Sequence, residues 1–482
     1  MNTLDSEKPG ETSARGLAAA TFVATGLVVN SVLPAVGFQT ASASCTFVVA
    51  LIATASLVLA KPLFSISVLY ILALGLTAFI AGIGIEGGGF LIETGVTGEP
   101  NGSFSRLLVF YAIFVLCAFG GFRRIFDQKS NPVSIASSPP LLSTGSITLG
   151  MAITVITLAA GIAAGMASGF SFLEGINRYA TRNASAPGLG ELLFNVFLNN
   201  ELFVAFFLGT ATTGQSISLR LVSIACILSD LALQIMHGEQ FMSVLHFCLA
   251  VITPIVAFRT IHRKPVGRYV FLGSMAAVFI GGCSVFYAYQ AQGYDAMQVI
   301  VSRFLLQGQA WYVVDSDSTI FSPPDAGGNA AFGRFTTSLF SWSTPGFNDY
   351  ANVSGLRDLM ISYGLPQVMN SYVTDDVTFT MGQMAVPVFW FGLAGGAMFV
   401  AGTGIVYGAL AAWQIHVLCR GGVIMLWLMA KVFSYTTFAI QQGEYWSLLG
   451  SRMWFYMLLA LIWWFYVDGR LPKFRLDRLG LS

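Results

Sequence analysis

Long apolar stretches constrain this chain more than any other feature of its sequence. A helix needs about 20 mostly apolar residues to cross the hydrocarbon core of a bilayer, and about twelve segments meet that requirement. Only 10% of the residues are charged, whereas soluble domains carry about 25%. The sequence therefore predicts an all-α integral membrane protein with spans near 16–38, 44–60, 62–84, 107–122, 146–169, 191–210, 221–236, 241–258, 269–290, 385–411, 421–440 and 452–467.

The polar segments between the spans divide the chain. Short cytoplasmic loops of membrane proteins hold an excess of Lys and Arg, and this rule places both ends of the chain in the cytoplasm. We therefore predict a cytoplasmic tail (1–15), four spans (16–122), a cytoplasmic linker (123–145), spans five to nine (146–290) with an outer loop (170–190), a large periplasmic loop with amphipathic helices (291–384), three further spans (385–469) and a second cytoplasmic tail (470–482).

The few charges are informative by their location. A net charge of +1 with no concentrated basic face argues against a nucleic-acid partner. In the predicted outer segments every basic residue is an arginine, whose planar fork binds phosphate oxygens in two places, so the bias favours phosphate or diphosphate recognition. Chance in so small a set, or selection against outer lysines, is an alternative explanation. These residues are Arg106, Arg178, Arg182, Arg303, Arg334, Arg357 and Arg452.

A helix is predicted over 295–315, at the start of the large loop. Arg303, Gln307 and Trp311 recur every fourth residue and so share one face. One interpretation directs Arg303 into an active site. The other is an amphipathic helix at a lipid or protein surface, with a solvated arginine. Either suits the apolar residues that occupy another face, which are Met297, Ile300, Val301, Phe304 and Leu305.

The turn between the seventh and eighth predicted spans holds a candidate base. Glu239 follows His237 and Gly238 there, and partial burial would raise its pKa and suit it to accept a proton. The alternative role is a carboxylate stabilised by the dipole at the start of the eighth span. His237 is a candidate second base or donor, or else a histidine hydrogen bonded at a helix end.

Two other groups of charged residues have alternative roles. Arg178 and Arg182 are one helical turn apart and could clamp two phosphates, or else form a solvated loop pair. Glu201, Asp230 and Lys431 lie within predicted spans. For these three we expect ion pairs or hydrogen bonds that serve the fold rather than catalysis.

The sequence lacks the usual motifs of metal and nucleotide enzymes. It contains no HExxH, GxSxG, Walker loop or Asp-rich cluster, so we expect a reaction without metal or cofactor, or no reaction. Outer arginines with one carboxylate would suit a glycosyl transfer. The arginines would neutralise a departing diphosphate while the carboxylate takes the proton of an acceptor hydroxyl.

Three short motifs resemble those of a known family. Arg303-Phe-Leu-Leu-Gln-Gly-Gln-Ala-Trp is similar to the Arg-x-x-x-Gln-Gly-Gln-x-Trp segment of O-antigen polymerases of the Wzy type. His237-Gly-Glu-Gln-Phe resembles their Gly-Glu-Lys-Phe turn, and Phe379-Thr-Met-Gly-Gln-Met-Ala resembles their Phe-Thr-x-Gly-x-Pro-Ala stretch. The motifs occur in the family's order. Gln240 replaces the family's lysine, and Met384 stands where proline is usual.

The resemblance implies a polytopic glycosyltransferase of the GT-C class in the bacterial inner membrane. Such an enzyme moves a growing polysaccharide from undecaprenyl diphosphate to the sugar of an incoming lipid-linked repeat unit on the periplasmic face. By the same resemblance, Arg303 and Gln307 would bind the lipid diphosphate and Glu239 would be the base. Arg178 and Arg182 match by position and type. Further substrate contacts would be Gln309, Trp311 and Gln240.

The resemblance leaves two alternatives open. The related O-antigen ligases carry a histidine in the large outer loop, and this chain has none between Ala291 and Met384, which favours a polymerase. A permease or flippase of a lipid-linked anionic glycan would bind with the same arginines without a reaction. The partners expected are an undecaprenyl-diphosphate-linked oligosaccharide and membrane lipid. A chain-length regulator protein is a further candidate partner.

Overall fold

The described part of the protein is almost entirely helical. The computed structural model describes residues 39–129, 142–174, 188–214, 216–238, 241–262, 266–291, 293, 295–324, 355–375, 379 and 381–466. Its helices are α1 (Gln39–Ala60), α2 (Pro62–Glu86), α3 (Ser103–Lys129), α4 (Thr144–Ser168), α5 (Ser171–Glu174), α6 (Leu189–Ala211), α7 (Ile217–Met236), α8 (Phe241–Ile261), α9 (Gly267–Ala291), α10 (Ala296–Asp317), α11 (Leu356–Tyr363), α12 (Pro366–Asp375), α13 (Ala385–Arg420), α14 (Val423–Gln442), a 3-10 helix (Tyr445–Leu449) and α15 (Ser451–Tyr466).

Nine helices in the described part of the chain are long and apolar enough to cross a membrane. They are α1 to α4, α6 to α8, α13 and α14. Each coincides with a predicted span, so the all-α class and the membrane character are confirmed. Helices α9 and α15 lie where two more spans are predicted but are not among the nine. The first predicted span, 16–38, lies outside the described residues, and the count of about twelve stays a prediction.

Burial separates central helices from peripheral ones. The most apolar windows of α2 and α14 are 72% buried, whereas that of α1 is 17% buried. A helix that is apolar on every face needs protein or lipid on every side. Helices α2 and α14 meet mainly protein, while exposed apolar side chains of α1 such as Leu59 suit contact with lipid.

Glycines bring α3 and α13 together. A Cβ atom on Gly408 of α13 would lie 1.8 Å from the carbonyl oxygen of Ala118 in α3. One on Gly121 of α3 would lie 2.2 Å from the carbonyl oxygen of Ile405. Small residues at such positions let two helix backbones approach closely, which is a common way to pack membrane helices.

Helix α13 is broken at Gly392, whose φ of 69° lies in the left-handed region. The break frees backbone N–H groups that would otherwise have bonded within the helix. Leu393 N–H donates to the Thr319 carbonyl at 3.2 Å, and Ala394 N–H donates to the Ile320 carbonyl at 2.9 Å. The segment that follows α10 is thereby fixed to α13.

A short antiparallel hairpin joins α2 to α3. Its strands are β1 (Phe90–Leu91) and β2 (Val96–Thr97), and Phe90 pairs with Thr97 while Leu91 pairs with Val96. The backbone N–H of Leu365, between α11 and α12, donates to the Glu93 carbonyl in the turn at 2.9 Å. The hairpin turn is therefore held between the α2–α3 pair and the α11–α12 segment.

Candidate functional site

Helix α10 contains the motif with Arg303 and lies against α2, α3, α9 and α13. The predicted helix over 295–315 is confirmed at Ala296–Asp317, and the Asp295 carboxylate accepts the Met297 N–H at 3.0 Å at its start. In the first half Met297 and Val301 are exposed, as predicted for a helix at a surface. The second half is buried from Gln309 to Asp315, which the periodicity did not predict.

The second half of the motif serves helix packing. A Cβ atom on Gly308 would lie 2.9 Å from the Phe104 ring and 3.0 Å from the Ala81 side chain. Trp311 Nε1 donates to the Ser103 carbonyl at 2.9 Å, and its ring packs edge to face with Phe110. Trp311 is therefore engaged inside the protein, and its predicted contact with a substrate stays a prediction.

Glu93 is a buried carboxylate beside this motif, and the sequence reasoning missed it. It lies in the hairpin turn and is 3% exposed. Gln309 Nε2 donates to its Oε2, and the Tyr372 hydroxyl donates to its Oε1. The sequence signal was an acidic residue in a Gly-rich turn, but its two partners are more than 200 positions away.

Burial raises the pKa of the Glu93 carboxyl above its ordinary value, because the charged form loses hydration. The hydrogen bonds from Tyr372 and Gln309 and the positive charge of Arg303 lower the pKa, but by less. Glu93 is thus a buried acid with a raised pKa, on which the charge of Arg303 has the smallest effect. Such perturbed groups are candidates for functional sites.

Arg303 and Gln307 remain at the exposed end of the motif. Arg303 is exposed, and within the described part of the chain its guanidinium forms no hydrogen bond or ion pair. Gln307 Nε2 donates to the Arg303 carbonyl at 3.2 Å. The side-chain oxygens of Gln307 and Gln309 have no partner among the described residues. Both of these oxygens are buried, so the group that the motif presents at the surface is the Arg303 guanidinium, which suits an anion.

Other arginines of the predicted outer segments are engaged within the protein. Arg106 binds Asp315 through both Nε and Nη2, with the shortest distance 2.6 Å. Arg357 pairs with Glu444 at 3.6 Å, and Arg452 lies 4.8 Å from the ring centre of Tyr435. Arg334 lies outside the described residues. Arg303 differs from these engaged arginines in leaving its guanidinium available.

His237 lies in an aromatic environment at the end of α7. Its Nε2 is 2.9 Å from the Gly161 carbonyl oxygen of α4. Its ring packs against three phenylalanines, Phe170, Phe194 and Phe197. These contacts agree with a histidine bonded at a helix end, one of its two predicted roles.

Four predicted site residues, Arg178, Arg182, Glu239 and Gln240, lie outside the described residues. Their convergence with Arg303 therefore stays a prediction. The motif residues that it does bring together with Glu93 are Arg303 and Gln309.

The third motif fixes the start of α13 to its neighbours. The Gln383 carbonyl accepts the Tyr445 hydroxyl, and Gln383 Oε1 accepts the Tyr111 hydroxyl of α3. Gly382 N–H donates to the Gln441 carbonyl at 3.1 Å. Met384, at the position where proline is usual in the resembling family, is 2% exposed and precedes the helix.

Two charged residues inside spans make hydrogen bonds within the protein, one within its own helix and one to another helix. Asp230 Oδ1 accepts Gln234 Nε2 at 2.8 Å, and Lys431 Nζ donates to the Asn199 carbonyl. These bonds agree with the expected structural role. Among the residues that the structure describes, no three His, Cys, Asp or Glu side chains are grouped closely enough to hold a metal ion.

Comparisons with known proteins reach only the carboxyl-terminal part of the chain. A family of unknown function (DUF6418) matches residues 349–457. That segment runs from before α11 into α15 and includes Gln383 and the Arg357–Glu444 pair. No curated protein and no solved structure matches the chain. The carboxyl-terminal spans and the segment before them are thus similar to a family whose activity is not known.

Proposed function

We propose that this chain is an O-antigen polymerase, a membrane glycosyltransferase with about twelve spans and a GT-C-like architecture. It would transfer a growing glycan from undecaprenyl diphosphate to an incoming lipid-linked repeat unit on the periplasmic face of the bacterial inner membrane. The observation that carries the proposal is the state of the Arg303 motif. Its second half is engaged in packing, while the exposed Arg303 guanidinium is left for a ligand.

The chemistry of the Arg303 guanidinium supports a lipid-linked diphosphate as the ligand. A guanidinium can hold two oxygens of a diphosphate at once and neutralise the charge that grows as the diphosphate departs. Exposed apolar residues one turn or less from Arg303, such as Val301 and Phe304, would suit contact with the lipid tail.

The base in this proposal is a carboxylate near Arg303. Glu239 is the candidate from the resemblance. Glu93 is a second candidate because it is buried beside the Arg303 motif and burial raises its pKa, although Tyr372 and Gln309 occupy both of its oxygens. A transfer through Glu93 would need one of these donors to move away. The substitutions Glu239→Gln and Glu93→Gln show which of the two carboxylates is the base. Loss of the base should stop chain extension while the lipid-linked substrate still binds.

The test of the function is the lipopolysaccharide ladder of a deletion strain complemented with Arg303→Ala. A polymerase without Arg303 should leave single repeat units on the lipid A core. Arg303→Lys keeps the charge but not the planar fork, so it should restore only short chains. Arg124→Ala is the control. It removes an exposed arginine near the carboxyl end of α3, whereas the Arg303 motif contacts the amino end, and it should leave the ladder normal. A normal ladder with Arg303→Ala would contradict the proposal.

The same experiment distinguishes the alternatives. Loss of a ligase would leave long polymer on the lipid carrier and none on the lipid A core. Loss of a flippase would leave lipid-linked repeat units on the cytoplasmic face. We favour the polymerase over the ligase because the large loop lacks a histidine.

A further inference from the structure

A small cavity lies inside the helix bundle, away from the Arg303 motif. It is lined by α2, α6, α8, α13 and α14. Its volume is about 20 Å3, measured as the space open to the centre of a water molecule. The lining includes six polar side chains among apolar ones, namely Ser67, Tyr70, His246, Thr253, Tyr407 and Gln414.

Gln414 is the feature of this cavity that needs an explanation. The residue is 2% exposed, and neither Nε2 nor Oε1 of its side chain has a hydrogen-bond partner among the described residues. A buried amide that bonds to nothing is costly, because it loses its hydrogen bonds to water and gains none. A partner for both atoms is therefore expected in the cavity.

The neighbouring hydroxyls do not donate to Gln414, because their hydrogens are already engaged. The Tyr407 hydroxyl donates to the Ser67 carbonyl at 2.9 Å, and the Thr253 hydroxyl donates to the Leu249 carbonyl at 2.7 Å. These oxygens can still accept. The Ser67 hydroxyl donates to the Leu63 carbonyl at 3.2 Å and the Tyr70 hydroxyl to Gln441 Oε1 at 2.7 Å. His246 also lines the cavity but makes no hydrogen bond with Gln414. The missing partner must therefore donate to Gln414 Oε1 and accept from Nε2, and its further donors can bond to the lining hydroxyls.

We propose that the cavity is a binding site for one or two buried water molecules held by Gln414. Water both donates and accepts, and it needs about 10–15 Å3 of such space. The space of about 20 Å3 therefore admits water but excludes a sugar ring, a phosphate or a lipid tail. The site hydrates the bundle core and is not a passage for cargo.

The test compares Ala411→Val in two backgrounds. Ala411 is 1% exposed and lines the cavity. In a hydrated cavity the added methyl groups expel water and leave the Gln414 amide unsatisfied, so the thermal unfolding midpoint should fall by about 2–4 °C. The Gln414→Leu background has no amide that could lose its water partner. Ala411→Val should therefore not lower the midpoint there.

Two results of this cycle would overturn the proposal. A higher midpoint for Ala411→Val in the wild-type background would mean that the methyl groups fill a dry void. An equal fall in both backgrounds would mean steric strain unrelated to Gln414. If a variant does not fold, a high-resolution cryo-EM map of the wild-type protein in lipid nanodiscs decides. Density within hydrogen-bond distance of Gln414 Nε2 and Oε1 is expected, and an empty cavity would refute the site.

Discussion

Gln309 of α10 donates a hydrogen bond to the buried carboxylate of Glu93, although the two residues are 216 positions apart in the chain. The bond joins the hairpin turn between α2 and α3 to the helix that carries Arg303. Tyr372 of α12 completes the arrangement from the other side. Three segments distant in sequence thus meet at one carboxylate, and the position of Arg303 depends on this junction.

The first prediction concerns the donor in this pair. Gln309→Ala removes one of the two hydrogen bonds to a carboxylate that is nearly inaccessible to solvent. We expect the free energy of unfolding to fall by about 1–3 kcal/mol, because the buried acceptor is left unsatisfied. Thermal unfolding in detergent or nanodiscs measures the change. Gln367→Ala, at an exposed position of α12, is the matched control, and an equal loss in both variants would argue against the role of Gln309.

The second prediction is a pH dependence that arises from Glu93. Burial raises its pKa in the folded protein, so the folded state holds the proton more tightly than the unfolded state does. The stability from this group is therefore present below the unfolded value of about 4.3 and is lost as the pH rises toward the folded value.

Glu93→Gln should remove this dependence. The wild-type protein should lose up to about 1.4 kcal/mol of stability per pH unit relative to Glu93→Gln within that window, and the difference should be constant above it. Unfolding midpoints measured from pH 4 upward give the two curves. Glu191→Gln, at an exposed position of α6, is the control. A wild-type protein that gains stability relative to Glu93→Gln with rising pH would show that the pKa of Glu93 is lowered instead.

Hydropathy predicted the nine membrane-spanning helices of the described residues because it is a local property of about 20 residues. The helix containing Arg303 was predicted within two residues at each end, for the same reason. The burial of its second half could not be predicted from its sequence. That burial depends on Phe104 and Ala81, which approach Gly308 from two other helices.

The role of Glu93 was beyond sequence reasoning for a related reason. A carboxylate in a Gly-rich loop looks solvated unless the fold places Gln309 and Tyr372 on it. The outer arginines show the same limit. Residue type alone did not separate Arg303 from Arg106, which is engaged by Asp315.

The third prediction tests this engaged arginine. The Asp315 side chain is 0% exposed and that of Arg106 is 39% exposed, so the pair is only partly protected from solvent. Asp315→Asn should cost about 1.5–3 kcal/mol, the range for hydrogen bonds to charged groups. Arg106→Lys should also be destabilising, because an ammonium cannot reproduce donation from Nε and Nη2 together. A double-mutant cycle with Arg106→Gln and Asp315→Asn measures the coupling energy, which would be near zero if the pair were only a surface contact.

The last prediction uses two glycines of the same helix. Gly408 of α13 faces α3, where an added methyl group would lie 1.8 Å from the Ala118 carbonyl oxygen, whereas one on Gly402 would meet nothing within 4 Å. Gly408→Ala must therefore push the two helices apart and should cost about 1–3 kcal/mol or more. Gly402→Ala should be neutral or raise stability by up to about 1 kcal/mol, because alanine favours the helix.

Thermal unfolding of the two variants in the same lipid separates packing from helix propensity, since both exchange glycine for alanine in α13. If both variants unfold at the same temperature, α3 and α13 do not pack through Gly408.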